Sequence, residues 1–156
     1  MSRPVLVSYC FVFTSALVLL SSFLPLHAAG SANMKTLTPG ELLQTLQAKK
    51  GSKPLLFYVG PRMLYVQAHI YGSEFIGQCA TAEGVQKLRE HAASLPRKTA
   101  IVLYCGCCPW SHCPNINPAY DTLTQMGFTN VKALYLMNNF GADWVDKGYP
   151  TARGEQ

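Results

Sequence analysis

Charge is what this chain has least of. Among its 156 residues only 8 are acidic and 13 basic, and no charged side chain stands between Arg3 and Lys35. The basic residues behind the net charge of +5 are scattered instead of gathered in a run, which argues against nucleic acid or an acidic lipid surface as a partner. Internal repeats are missing, and so is any Pro/Gly/Ser-rich linker, so one domain around one core is expected.

The uncharged N-terminal stretch has the pattern of an export signal. Arg3 supplies a positive start, Val5 to Leu20 is largely apolar, and Ala28/Gly30 and Gly30/Ala32 both satisfy a small-x-small cleavage rule. Residues 1–32 are therefore expected to be removed, leaving a soluble periplasmic or secreted protein. The alternative is an uncleaved membrane anchor, the one case in which a membrane would be a partner. Ser8, Thr14, Ser15, Ser21, Ser22 and Pro25 interrupt that apolar run.

Cysteine is where the sequence concentrates its chemistry. Cys10 would leave with the signal, and Cys79, Cys105, Cys107, Cys108 and Cys113 remain. An odd number in an oxidising compartment leaves at least one thiol free, paired between chains, or held by a metal or redox partner. Four of them crowd into nine positions, whereas structural disulfides usually close long loops. The cluster follows Ile101 to Tyr104, an apolar run that reads as a buried parallel strand. It precedes Asn117 and Pro118, which read as the N-cap and first residue of a helix over Ala119 to Met126. The unit is strand, cysteine loop, helix. A thiolate held in such a loop is stabilised by the helix N-terminus and becomes nucleophilic near neutral pH.

The rest of the chain alternates strands and helices. Thr38 to Glu41 forms a capping box that opens a helix running to Lys50, and Pro54 to Val59 reads as a strand closed by Gly60-Pro61. Tyr65 to Gly77 is mixed, with a short strand at Glu74 to Ile76. Thr81 caps a helix to Ala93, Val131 to Leu136 is a strand, and Asn138 to Lys147 a short helix. This order predicts an α/β fold, a mostly parallel sheet with helices on both faces and functional loops at the carboxyl ends of its strands.

Three chemistries suit the loop. Cys105, first past its strand, is a nucleophile with Cys107 and Cys108 placed to resolve it. Cys105 and Cys108 form a CxxC redox pair that would need a redox partner protein. Or Cys105, Cys107, Cys108 and Cys113, with His112 as a candidate further ligand, bind a soft metal such as copper or zinc, although the usual two CxxC knuckles are absent. Asp121 and Asp143 are expected to be solvated.

Several motifs resemble the rhodanese-like sulfurtransferases. Trp144, three residues and Gly148-Tyr149-Pro150 resemble that family's closing W-x-x-x-G-Y-P, and His69 to Ser73 resembles its H-I-P-G-A. Ile101 to Cys105 resembles its strand ending in the active cysteine. The likeness covers Leu37 to Pro150, and the domain is placed at residues 37–153. It implies a five-stranded parallel sheet, no cofactor, and a Cys105 that takes sulfur from a small donor such as thiosulfate as a persulfide. That sulfur then passes to a thiol or cyanide. Gly106, Pro109, Trp110, Ser111 and His112 would form the substrate loop. His69, Trp144 and Tyr149 become fold anchors. The chain departs from the family where Trp110 replaces a loop arginine and Tyr58-Val59-Gly60 replaces Asp-Val-Arg, leaving Arg62 as the nearest replacement cation.

Overall fold

A computed structural model describes residues 33–155, so the export segment lies outside the described residues. Among them, no helix is long and apolar enough to cross a membrane. The centre of the molecule is the strand that the cysteine loop follows. Strand β5 (Ile101–Tyr104) has all four residues buried, since it lies between β2 (Leu55–Tyr58) and β6 (Val131–Leu134). The other two members are the two-residue strands β1 (Thr36–Leu37) and β4 (Glu74–Phe75), and the sheet order is β1-β6-β5-β2-β4. Every pairing in it is parallel, with Tyr58 beside Tyr104 at the carboxyl end. The five-stranded parallel sheet is thus as expected.

Alternation along the strands makes two cores, because successive side chains of a strand point to opposite faces. Phe57, Val59, Ile101, Leu103 and Cys105 face helices α3 (Ala82–Ala92) and α4 (Ile116–Gln125) through Leu88, Ala92, Ala119 and Leu123. Leu56, Tyr58, Val102 and Tyr104 face the other way. They meet Leu42 of α1 (Pro39–Gln47), Tyr65 of α2 (Arg62–Gln67), and Phe140 and Trp144 of the C-terminal segment. Helices cover both faces.

Local signals decided where the helices begin. The Thr38 hydroxyl accepts from the Glu41 amide and the Glu41 carboxylate accepts from the Thr38 amide, the reciprocal pair expected for α1. Thr81 caps α3 through the Gly84 amide. Four expectations are corrected. Helix α4 starts two residues early, with Asn115 as N-cap, and Pro118 sits in its first turn, where a missing N–H costs no helical bond. Helix α2 falls in a stretch with no helical expectation; it is six residues long and has no side-chain cap. Strand β6 stops at Leu134. The expected helix over Asn138 to Lys147 is a single π-type turn, Gly141–Val145, whose entry is tied by the Asp143 carboxylate accepting from the Asn138 and Asn139 amides at 2.6 and 3.2 Å. Asp143 therefore has a structural task.

A two-stranded antiparallel ribbon closes the α2 side, with β3 (His69–Ile70) against β7 (Thr151–Ala152). His69 is fully buried there. Its ring stacks on Tyr65 at 3.9 Å, and Nδ1 lies 2.8 Å from the Tyr65 carbonyl. Trp144 is fully buried, donates from Nε1 to the Pro150 carbonyl and meets Tyr149 edge-on at 5.1 Å. These are packing roles.

Candidate thiol site at the end of the central strand

Beyond Tyr104 the chain leaves the sheet at its carboxyl edge, and Cys105 is the first residue out. It is 2% exposed. Gly106 turns the chain with a positive φ of 73°, and a β-carbon there would run into Phe140, so only glycine fits this corner. Gly60, past the end of neighbouring β2, leaves room for the sulfur itself: a β-carbon at Gly60 would lie 2.6 Å from Cys105 Sγ and 2.8 Å from the Tyr58 hydroxyl. Gly60 is therefore the floor of the thiol site.

Three sulfurs meet there. The Sγ atoms of Cys105, Cys107 and Cys113 all lie within 4.8 Å of one another. Cys108 is outside this group and touches Cys107, Sγ to Sγ, at 3.1 Å. No disulfide joins the five described cysteines. The three-sulfur group is the one set among the described residues arranged to hold a metal ion, and it omits Cys108 from the four expected ligands.

Asn115 ties the group together. Its side chain is buried, its Oδ1 accepts from the Ala80 amide at 2.8 Å, and its Nδ2 donates to Cys105 Sγ at 3.4 Å and to Cys107 Sγ at 3.8 Å. An Asn before a helix usually caps it. Here Asn115 makes no side-chain cap bond, and the Asn115 and Ile116 amides at the start of α4 favour the charged form of the Cys113 thiol.

The electrostatics follow from that division. The Cys113 thiol is lowered to about 6, chiefly because the Cys105 thiol donates to it and then because those amides do, against the cost of burial. Cys105 is pushed up, first by that same donation to Cys113 and then by burial, although the Cys107 amide points at its sulfur. Burial and the Cys107 sulfur push Cys108 up to about 12, and burial alone pushes Cys79 up to about 12. The helix N-terminus thus favours the Cys113 thiolate over that of Cys105.

Two openings reach the group. A cleft of about 520 Å³ is lined by Cys105, Gly106, Cys107, Cys108 and Pro109, with Tyr58 and Arg153. Arg153 is its cation. Arg62 does not line it, pairing instead with Glu155 at 2.5 Å and lying over the Phe75 ring. The Tyr58 hydroxyl, buried without a hydrogen-bond partner, belongs to the same wall. A second pocket of about 290 Å³ is lined by Cys113, Trp110, Ser111, Ile116, Asn117 and Met34. Trp110 leans on Tyr135 at 5.1 Å, while exposed Ser111 and His112 bond each other. Of the expected substrate loop, then, Gly106 and Pro109 line the cleft, Trp110 and Ser111 line the second pocket, and His112 lines neither.

No family model matches the chain, and no curated protein matches it. Solved structures do. The rhodanese-like domain of an Anabaena protein, determined in solution, is 21% identical with a TM-score of 0.57, covering 76% of this chain and 78% of that one. A crystal structure of the same Anabaena protein is 20% identical with a TM-score of 0.58 over 76% of this chain and 92% of that one. A Bacillus halodurans protein is 18% identical with a TM-score of 0.57 over 76% and 77%. What these identities carry is the architecture, and the chain folds as a rhodanese-like α/β domain, with its cysteine cluster at the carboxyl end of the central strand.

Proposed function

We propose that the protein is a sulfurtransferase that carries sulfane sulfur as a persulfide on Cys105, in an exported compartment. The observation that carries this is a free sulfur at the carboxyl end of β5, facing a cleft with a cation and held by an amide donor from α4. The thiol proton of Cys105 passes to the sulfur of Cys113, which lies within 4.8 Å. The resulting thiolate attacks the outer sulfur of a small donor such as thiosulfate. The donor's S–S bond breaks and sulfite leaves with the electron pair, drawn by Arg153. The persulfide anion on Cys105 is then stabilised by the Asn115 amide and the Cys107 N–H, donors fixed before the charge arrives. A thiolate or cyanide takes the outer sulfur and restores Cys105.

Single-turnover loading with thiosulfate, followed by discharge with cyanide, tests the reading. Wild-type protein should release one equivalent of sulfite and then one of thiocyanate, and Cys105→Ser should release neither. Sulfite release by Cys105→Ser at the wild-type rate would end it. The apolar stretch before Lys35 supports export, and N-terminal sequencing of protein recovered outside the cytoplasm should begin between Ser31 and Asn33.

A second reading has one observation in its favour. Three sulfurs within 4.8 Å suit a soft ion, copper or zinc, held by Cys105, Cys107 and Cys113. Metal titration that protects these three from alkylation would support it, and unchanged alkylation would remove it. The redox pair of Cys105 and Cys108 has less support, since Cys108 stands against Cys107 outside that group.

A further inference from the structure

The thiol group lies between two openings, and its members divide between them. Cys105 and Cys107 line the larger cleft, whereas Cys113 lines the smaller pocket. The loop that links them is the partition, with Pro109 on the cleft side and Trp110 and Ser111 on the other. Sulfurs on the two sides are nonetheless within 4.8 Å. Nothing in a one-cysteine transfer cycle needs a second opening served by its own sulfur.

We infer that the group is a relay, in which sulfane sulfur accepted by Cys105 from the cleft is handed to Cys113 and leaves through the second pocket to a thiol acceptor. This rests on the sulfurtransferase reading. The step balances without a further reactant. The Cys113 sulfur attacks the outer sulfur of the Cys105 persulfide, forming one S–S bond as the bond to Cys105 breaks. The electron pair and the Cys113 thiol proton end on Cys105. Neither oxidant nor reductant is consumed, because one persulfide replaces another.

Distance and access both favour Cys113 as recipient. Two S–S bonds of about 2.05 Å laid end to end span roughly 4.1 Å, and the two half-formed bonds of an in-line displacement are longer, so a gap under 4.8 Å is the right span for direct transfer. Cys107 also lies within 4.8 Å, but it lines the same cleft as Cys105, so sulfur passed to it would gain no new exit. Cys105 is 2% exposed, which leaves it to small donors, whereas Cys113 is half-buried on the second pocket.

The experiment is a time course of wild-type protein loaded with thiosulfate, quenched with iodoacetamide and mapped by peptide fragmentation. Sulfane sulfur should appear on Cys105 first and on Cys113 afterwards. In Cys113→Ser, and in Cys113→Ala as a second variant, it should remain on Cys105. Both variants should load more slowly, because Cys113 takes the Cys105 proton, so discharge is read on protein already loaded to one equivalent: cyanide should release that sulfur as in wild type, while discharge by a bulkier thiol such as reduced glutathione should fall at least about tenfold, the change expected for about 1.4 kcal/mol. In Cys107→Ser the transfer should proceed as in wild type. Sulfur confined to Cys105 in the wild-type time course overturns the relay and leaves the sulfurtransferase reading standing. Transfer stopped by Cys107→Ser and not by the Cys113 variants overturns it too. Protein that gains no sulfur anywhere refutes both.

Discussion

Replacing Gly60 by alanine adds one methyl group to the floor of the thiol site. The backbone there does not need glycine, since Gly60 is absent from the positive-φ positions, so whatever the variant costs comes from the side chain's neighbours. The new carbon would lie 2.6 Å from Cys105 Sγ and 2.8 Å from the Tyr58 hydroxyl, against a comfortable contact of about 3.5–4.0 Å. One of them must move by about 1 Å. Tyr58 is packed among Tyr65, Phe75 and Tyr104, so the sulfur is the atom that yields. That shift strains its 3.4 Å bond from Asn115 and tilts the attacking atom away from the cleft. Overpacking of this kind costs about 1–3 kcal/mol of stability, a few degrees of melting temperature for a domain of this size. A 1 Å misplacement of a reacting atom costs about 100-fold in rate. Gly40→Ala is the control, because nothing lies within 4 Å of its β-carbon and a helical alanine should stabilise by about 0.4–1 kcal/mol. Thermal melting and the rate of sulfite release from thiosulfate read the two effects. A Gly60→Ala protein that melts with the wild type and loads at its rate would refute the claim that Gly60 makes room for the sulfur.

Asn115→Asp keeps the acceptor for the Ala80 amide and removes the donor to both sulfurs, placing a carboxylate beside a developing anion. Loading at pH 7 should fall by about 10–100-fold, the equivalent of about 1.4–2.8 kcal/mol, and a rate within twofold of wild type would contradict this. For the thiols, only the thiolate reacts, so rates rise as pH climbs through each pKa. With Cys113 lowered to about 6 and Cys108 and Cys79 pushed up to about 12, iodoacetamide at neutral pH should modify Cys113 ahead of both, its rate rising through pH 6. Preferential labelling of Cys108 would count against the assignment. Tyr58→Phe removes a buried hydroxyl that has no partner, so melting should be unchanged or raised by the equivalent of about 1 kcal/mol. A loss of several degrees would mean that the hydroxyl has a partner.

Much of the fold was legible because its signals are local. The apolar run Ile101–Tyr104, the Thr38–Glu41 box and the Thr81 cap each lie within a few residues, and each became the expected element. Strands β1 and β7, two residues each, and the uncapped α2 carry no period long enough to see. The site was half legible. Cys105 at the end of its strand follows from the strand itself, and the cysteines were visible as a cluster. Which three of them meet was not, because that depends on how the loop turns at Gly106 and where α4 begins. From the sequence, the segment from Asn115 to Asn117 reads either as pocket lining or as a turn, and the bond of Asn115 to the Ala80 amide, 35 positions away, leaves no local trace. Arg153, past the closing motif, reaches the cleft through the β3–β7 ribbon, a pairing that no spacing in the sequence announces.

The most direct measurement of the central claim is the intact mass of the mature protein before and after thiosulfate, with fragmentation of the peptide that holds Cys105 to Cys113. The account predicts a gain of one sulfur atom within that peptide, abolished by Cys105→Ser and reversed by cyanide. A mass that does not change, or a sulfur gained equally by Cys105→Ser, would contradict it.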